Sequence, residues 1–438
     1  MLFHKSVGKK LFFSIVFVIL LLVSTPAQSL NLSNLNTTEI QHRSDVLSVD
    51  SNQKEISLLR GEHYIYLNAT ENVDNFHFWF VFPPDYGYQI PIYIQIYEDT
   101  TADILNYEIQ DDEDGLNKLL HFYIGSILKD HSVLLHFSVY VLTKNHDFSD
   151  IPEKQRFPLR IQLPEETKQW LSASEVVQKN SILIRLKARQ LRGINNDMIR
   201  YVNRVAPFIK YHRFGLFLIQ LNFRVFFSQD ARTTLLINGE NVGRSHLACA
   251  LFRSQNIPAR VLLVHRDQGF WTQMHYIVEY YILDYGWVLL DSTDGKTPYD
   301  TKNQIINRIC FIQDEQDTKD DYIYPLMKGL ERWMWIDTDH VYPYYYDCDQ
   351  GSKSQMFREC DILSNSERVE YAFVKTQLVY HQYEKYLCMN LTDENKLFFE
   401  NATLYQKTAI DQLKQTQNLN EYILYIDLAY DEYKKIQL

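Results

Sequence analysis

Residues 238–293 read NGENVGRSHLACALFRSQNIPARVLLVHRDQGFWTQMHYIVEYYILDYGWVLLDST, and this stretch decides the fold. Its first part has the composition of a helix and is closed by Ile257-Pro258, because proline cannot continue a helix. Its second part is rich in β-branched and aromatic residues. The segments predicted from it are a helix over 241–256 and strands over 259–265, 274–283 and 287–293. One helix followed by antiparallel strands predicts an α+β core.

The last two strands have a spacing that brings a histidine close to a carboxylate. If residues 274–282 and 286–292 form a hairpin with the three-residue loop 283–285, Asp291 lies opposite Ile277. His275 is two residues from Ile277, so it lies on the same face of the sheet and diagonal to Asp291. A carboxylate can reach an imidazole over that distance, and we expect Nδ1 of His275 to face the carboxylate. A two-residue loop would place the two side chains on opposite faces.

Three short motifs in this stretch carry a family resemblance. They are R-x-x-x-I-P-A-R at 253–260, H-x-x-x-E at 275–279 and G-W-x-x-x-D-x-T at 286–293. Together they resemble the core of the transglutaminase-like superfamily, papain-related cysteine enzymes that include transglutaminases, peptide N-glycanases and bacterial proteases. The resemblance is strong over 238–293 and looser over about 180–300.

The resemblance implies a Cys-His-Asp triad, and one member is missing here. In the family the nucleophilic cysteine lies 16 positions before the isoleucine of I-P-A-R, and the residue 16 positions before Ile257 is Asn241. His275 and Asp291 then correspond to the other two members and form a remnant dyad. Asparagine offers no comparable nucleophile. Asparagine is also a favoured N-cap, so we expect the side chain of Asn241 to accept a hydrogen bond from the amide of Gly243 or Arg244.

Three neighbouring residues have candidate roles in or beside the same site. Cys249 lies more than two turns into the predicted helix and is interpreted as a core residue. Trp271 is predicted to line the cleft or to pack beside it. Ser245 lies one turn beyond Asn241, where it could line the cleft and act as a replacement nucleophile.

The N-terminus has the pattern of an export signal. Three lysines precede the apolar run 11–23, and the small residues Ala27 and Ser29 follow it. As a helix that run spans about 20 Å, short of the roughly 30 Å hydrocarbon core, so we predict cleavage near Ser29 and a secreted chain. An uncleaved anchor holding the chain at the outer face of the membrane is the alternative. The predicted glycosylation sites are Asn31, Asn36, Asn68, Asn390 and Asn401.

The charge and the cysteine content of the chain argue against several classes of function. The chain has 438 residues and a formal net charge of −11, with both signs mixed along most of its length. This argues against nucleic acid as a partner, because such binders need a basic face. There is no CxxC or HExxH motif, so neither a metal site nor a cofactor is predicted. Of the five cysteines, Cys348 and Cys360 flank a polar loop and form the candidate disulfide.

The chain divides into five predicted parts. Short alternating strands predict a β-sandwich over 55–164, and residues 294–365 carry no clear secondary-structure pattern. Helix formers dominate from Ser366, with breaks at 390–392 and near Asn418, which predicts two or three helices or, as a rival, a coiled-coil arm. The predicted parts are a signal peptide at 1–29, a leader at 30–54, the sandwich at 55–164, a transglutaminase-like domain at 165–345 and a helical region at 346–438.

Three functions remain open at this point. The leading hypothesis is an exported, inactive transglutaminase-like protein that acts as a protein- or peptide-binding or scaffolding module. Any contact with a membrane would be through an uncleaved N-terminal segment. The rival is a hydrolase or acyl transferase that uses Ser245 or an activated water. The third is a structural protein in which the core only organises the other domains. An open groove beside His275 would favour the first two hypotheses, and a closed one would favour the third.

Overall fold

The computed structural model describes residues 53–437 except 114, 147, 213–227, 238, 267–273, 301, 303, 319–332 and 345–350. The predicted signal peptide and nearly all of the predicted leader lie outside the described residues. The described chain has mixed α and β structure with antiparallel sheets, as predicted.

Two antiparallel sheets form the predicted β-sandwich. The first has the order β12-β1-β6-β3, with β13 also paired to β1, and the second has the order β11-β2-β5-β4. Their bounds are β1 (Gln53–Ala69), β2 (Val73–Phe82), β3 (Gln89–Ile96), β4 (Ile104–Asp111), β5 (Lys118–Ile127), β6 (Ser132–Lys144), β11 (Met334–Ile336), β12 (Val341–Pro343) and β13 (Lys353–Asn365).

Aromatic rings fill the space between the two sheets. The ring of Phe137 on β6 contacts Phe80 on β2 at a centroid distance of 5.4 Å and Phe122 on β5 at 5.3 Å. All three side chains are fully buried or nearly so. Rings at these distances stabilise the fold beyond the burial of apolar area alone. The alternating apolar residues of these strands therefore face the interior of the sandwich, as the sequence pattern predicted.

The sandwich also draws strands from the far end of the chain, which corrects the predicted boundaries. Strand β13 pairs with β1 from Gln53 opposite Asn365 to Tyr64 opposite Lys353. The region predicted as helical at 346–438 therefore begins with a strand, and the sandwich extends beyond 55–164. The prediction missed β13 because its sequence, KSQMFRECDILSN, mixes charged and apolar residues on both faces.

The second part of the molecule is the α+β core predicted from residues 238–293. Its sheet has the order β10-β7-β8-β9 and is antiparallel throughout. Helix α5 packs across β7 and β8, and nearly all of its side chains are buried. The elements are α1 (Glu165–Lys168), α2 (Ile182–Arg192), α3 (Met198–Tyr211), α4 (Ala231–Leu236), α5 (Asn241–Arg253), β7 (Ala259–Arg266), β8 (Met274–Ile282), β9 (Gly286–Leu290), β10 (Gln304–Cys310) and α6 (Ile312–Asp317).

Three helices follow β13, namely α7 (Ser366–Leu387), α8 (Asp393–Thr416) and α9 (Leu419–Lys435). Both predicted breaks are confirmed, since Thr392 and Asn418 cap the second and third helices. The helices pack against the sandwich and do not extend from it as an arm: Gln406 donates a hydrogen bond to the carbonyl of Ile92 on β3. No helix in the described part of the chain is long and apolar enough to cross a bilayer.

Candidate functional site

The predicted hairpin that positions the site is confirmed in its register. Ile282 lies opposite Gly286 and Val278 opposite Leu290, with residues 283–285 as the loop. Asp291 follows the last residue of β9 and forms an isolated bridge with Lys296. His275 and Asp291 consequently lie on the same face, as the three-residue loop requires.

His275 and Asp291 are in hydrogen-bond contact. The Nε2 atom of His275 lies 3.2 Å from Oδ2 of Asp291, and both side chains are almost completely buried. We expected Nδ1 to face the carboxylate, and this expectation was wrong. Asp291 lies diagonally across the hairpin, so the ring reaches it with Nε2, the nitrogen farther from the backbone.

Asn241 lies on the other side of the imidazole. It is the first residue of α5, and its Nδ2 is 3.3 Å from Nδ1 of His275. A neutral imidazole that donates through Nε2 to Asp291 has its free electron pair at Nδ1, where it can accept a hydrogen bond from the Asn241 amide. The three side chains therefore form a continuous row from amide to imidazole to carboxylate.

The predicted capping role of Asn241 was wrong. Glu240 occupies the N-cap and forms no side-chain capping bond, and its backbone N–H donates to Oε1 of Gln229. Asn241 is one residue further into the helix, where its side chain turns to His275. The tertiary contact with the histidine outweighs the local preference of asparagine for the cap.

Asp291 is held as a carboxylate. Burial alone would raise its pKa, but hydrogen bonds from His275 and from the backbone N–H of Asp294, with the charge of Arg266, lower it to about 2. Its Oδ1 accepts from the backbone N–H groups of Thr293 and Asp294 at 2.8 and 3.0 Å. A carboxylate fixed by several donors can orient an imidazole without taking its proton.

Arg266 is a member of the site that the sequence analysis missed. Its two terminal nitrogens lie 2.9 Å from Oδ2 of Asp291 and 2.9 Å from Oδ2 of Asp294. It is the last residue of β7, next to β8 in the sheet, and only the pairing of these strands brings it to Asp291. Arg266 and His275 contact the same oxygen of Asp291. The guanidinium therefore competes with the histidine ring for the negative charge of this carboxylate.

Ser245 does not line a cleft, which corrects that prediction. Its side chain is fully buried, and its hydroxyl contacts the carbonyls of Asn241 and Tyr276 and the hydroxyl of Ser292 at 2.9–3.0 Å. Helix α5 is buried around nearly its whole circumference, so a position one turn from Asn241 faces the core. The serine joins the helix to the hairpin and is not available as a nucleophile.

The charged residues of the motifs form buried ion pairs. Arg260 of I-P-A-R lies 2.8 Å from Glu279 of H-x-x-x-E, and its guanidinium stacks over the ring of Trp287 at 4.0 Å. Arg253 contacts Glu315 of α6 at 2.5 Å. The pair Arg253–Glu315 connects α5 to α6, and the pair Arg260–Glu279 connects β7 to the hairpin strand β8. These pairs explain why the motif residues are charged although they are buried.

Several predicted residues remain without a structural test. Trp271 and Cys348 lie outside the described residues, so the disulfide with the buried Cys360 stays a prediction. Asn31 and Asn36 also lie outside them, whereas Asn390 is exposed and Asn68 and Asn401 are half-buried. Among the side chains that the structure describes, no three of His, Cys, Asp and Glu converge as a metal site would require.

Three cavities in the described structure are formed by other residues. The first two have volumes of about 590 and 580 Å³, and the third is smaller, at about 280 Å³. None of them is lined by Asn241, His275 or Asp291. Asn241 is half-buried and is the member of the row that solvent reaches, while residues 267–273, just before His275, lie outside the described part.

Comparisons with known proteins found a matching family model and a similar solved structure. Residues 187–292 match the family model of the transglutaminase-like superfamily. Among solved structures, a proposed cysteine protease from Cytophaga hutchinsonii is similar over 70% of this chain and 99% of its own, with 14% sequence identity and a TM-score of 0.48. A search of curated proteins found no match.

Proposed function

Because residues 187–292 form a domain of the transglutaminase-like superfamily, we propose that the chain is an exported, catalytically inactive transglutaminase-like protein that binds a protein or peptide. One observation carries the proposal: the amide of Asn241 lies 3.3 Å from the nitrogen of His275 that faces away from Asp291. A nucleophile that His275 could deprotonate would have to lie at this position.

The chemistry of the row explains the proposed inactivity. Acyl transfer needs an atom that attacks a carbonyl carbon, a base that takes its proton and a group that orients the base. His275 and Asp291 can supply the second and third functions. The nitrogen of an amide is a poor nucleophile because its electron pair is delocalised, and the Asn241 amide also occupies the electron pair of the base.

Neither Ser245 nor Cys249 is a good replacement for the nucleophile. The hydroxyl of Ser245 is buried and fully engaged, as described above. Cys249 is also fully buried, and burial raises the pKa of its thiol well above the ordinary value. A thiol that stays protonated does not attack a carbonyl. The rival hypothesis of an active enzyme therefore has no support from these side chains.

The partner class follows from the resemblance. Transglutaminases, peptide N-glycanases and the related proteases all act on polypeptides, so a domain that has kept their fold and lost its nucleophile would retain a polypeptide as ligand. Asn241, as the exposed end of the row, is where such a ligand would approach. Export and the outer face of the cell remain part of this proposal.

A structural role is the second candidate, and one observation favours it. None of the three cavities described above is lined by His275, whereas ligand sites are usually concave. In that case the core would serve to join the sandwich to the helices. Direct measurement of binding separates the two candidates.

The test of inactivity uses the native chain with His275→Ala and Cys249→Ser as companions. Ammonia release and incorporation of a fluorescent primary amine into a glutamine-rich protein, with peptide-bond hydrolysis in parallel, should equal the blank for all three. Turnover by the native chain that His275→Ala abolishes would refute the proposed inactivity.

The test of binding compares two identical substitutions. Asn241→Lys places a bulky charge at the partly exposed end of the row, and Asn420→Lys makes the same change at an exposed position in the first turn of α9. Binding of an unfolded glutamine-rich polypeptide, measured by fluorescence anisotropy, should weaken only in Asn241→Lys. Equal binding by both variants, or none by the native chain, would favour the structural role.

A further inference from the structure

Helices α2 and α3 carry a concentration of positive charge that the overall composition conceals. The whole chain has a net charge of −11, yet between Ile182 and Tyr211 the only acidic residue is Asp197. The carboxylate of Asp197 is occupied in capping α3, where it accepts from the amides of Ile199 and Arg200. The basic residues of the same segment are Arg185, Lys187, Arg189, Arg192, Arg200, Arg204 and Lys210.

These basic side chains have no acidic partners in the described structure. None of the seven forms an ion pair with a described residue, although Lys and Arg elsewhere in the chain often do. Arg192 donates to the neutral side chains of Gln255 and Asn196, and Arg204 donates to backbone carbonyls. Their positive charge is therefore available to an external anion.

Three of the arginines line one cavity. Arg185, Arg189 and Arg192 share a space of about 580 Å³ with the Gly193–Asn195 turn and with residues 254–256. Arginine and serine side chains are hydrogen-bond donors suited to phosphate oxygens, and no acidic residue lines this cavity. The cavity has the charge and the donors that an anionic headgroup requires.

Aliphatic side chains stand exposed among the same arginines. Ile194 is completely exposed in the turn after α2, and on α2 itself Ile182 and Leu186 are 68% and 56% exposed. On a helix, positions 182, 185, 186 and 189 fall on one side, so these aliphatic residues share a face with Arg185 and Arg189. Exposed isoleucine and leucine beside unpaired arginine are typical of surfaces that enter the headgroup region of a bilayer.

We propose that this basic surface, formed by Arg185, Arg189, Arg192 and the exposed Ile182, Leu186 and Ile194, docks on a bilayer containing anionic phospholipid. The arginines would contact headgroup phosphates, and the aliphatic tips would enter the acyl boundary. A polysaccharide or nucleic acid would use the arginines but leave the aliphatic residues in water. The surface consists of residues other than those of the Asn241 row, and the inference does not depend on the proposed function.

The test is co-sedimentation of the full chain with vesicles of phosphatidylcholine, with and without added phosphatidylserine. The apolar residues 11–23 are common to all variants, so the readout is the difference between the two kinds of vesicle. Arg185→Gln combined with Arg189→Gln removes two charges from the surface. Lys396→Gln combined with Lys407→Gln removes two exposed charges from α8 and is the matched control.

The native chain should prefer the anionic vesicles, and added salt should weaken that preference. Each basic residue near an anionic surface adds to the free energy of membrane binding, so removing two should weaken binding to the anionic vesicles about 30-fold. The lysine control should bind as the native chain does. Ile194→Ser should weaken binding without any change in charge. Any one of three outcomes would overturn the proposal. The native chain could bind both kinds of vesicle equally, the arginine variant could bind as well as the control, or the chain could bind heparin or free phosphoserine without binding vesicles.

Discussion

Replacing Asn241 with cysteine tests whether the row is arranged for thiol chemistry. A sulfur at this position would lie at the start of α5 and within the range over which the opposite charge of an imidazolium lowers a pKa by about 1–3 units. The helix terminus adds less than about one unit. Because Arg266 shares the carboxylate that must stabilise the imidazolium, we expect the lower part of this range, a thiol about 1–2 units more acidic than an ordinary one.

The assay is alkylation by iodoacetamide as a function of pH. An ordinary thiol has a pKa of about 8.5, so only a few per cent is thiolate at pH 7, whereas the introduced thiol should be about one-quarter to three-quarters thiolate. A more acidic thiolate is also less nucleophilic, so the rate at pH 7 should rise only a few-fold. The midpoint of the pH profile is therefore the sensitive measurement.

Two references accompany this measurement. Asn390→Cys places the same residue at an exposed position away from the histidine, and the native Cys388 is also exposed. A midpoint for Asn241→Cys equal to that of Asn390→Cys would mean that helix and histidine do not favour thiolate, and the reasoning would fail. Rapid labelling of a native cysteine, with amide hydrolysis lost on blocking it, would show that a different residue is the nucleophile.

Three further predictions concern processing and stability. Secreted material should begin close to Leu30 on N-terminal sequencing, and recovery of the uncleaved chain in a membrane pellet would favour an anchor. Glu315→Ala should lower the free energy of unfolding by about 3–5 kcal/mol in chemical denaturation, because it leaves the buried charge of Arg253 unpaired. Glu165→Ala breaks an exposed pair and should leave the free energy of unfolding nearly unchanged, because water screens exposed ion pairs. Burial lowers the pKa of His265 to about 4, so the unfolded chain takes up a proton near pH 6.5 while the folded chain does not. The native protein should therefore lose about 3 kcal/mol more stability than His265→Gln as pH falls from 6.5 to 4, and equal losses would contradict this account.

The hairpin and the dyad contact could be predicted because they depend on local information. Alternation of side chains fixes which residues share a face, and the loop 283–285 fixes the register. Once both are known, the approach of His275 to Asp291 follows. The orientation of the imidazole was predicted wrongly, because a carboxylate diagonally across the hairpin is reached by Nε2, the nitrogen farther from the backbone, and not by Nδ1.

The errors share a physical cause, which is that long-range packing overrides local preference. Asparagine is a favoured N-cap residue, but the contact of Asn241 with His275 determines the conformation of its side chain. The position of Ser245 on a helix was predicted correctly, while its burial was not, because α5 is covered on nearly every side and a helical period does not show which face is the cleft. Arg266 reaches Asp291 only through the pairing of β7 with β8.

The proposed inactivity of the site does not conflict with the fold. Residues 187–292 match the superfamily model with asparagine at position 241. A fold can persist after its chemistry is lost, because burial and hydrogen bonding maintain it independently of the nucleophile. Here the buried pair Arg253–Glu315 connects α5 to α6, and the buried pair Arg260–Glu279 connects β7 to β8, without any contribution from residue 241.

The pairing of β1 with β13 sets the order in which a newly made chain can fold. Ser57 on β1 and Asp361 on β13 are joined by a hydrogen bond although they are 304 positions apart. A ribosome therefore releases the first strand long before its neighbour exists, and one edge of that sheet stays open through synthesis of the whole α+β core. An open edge recruits other strands, so we expect the nascent chain to need a chaperone until residue 365 has emerged.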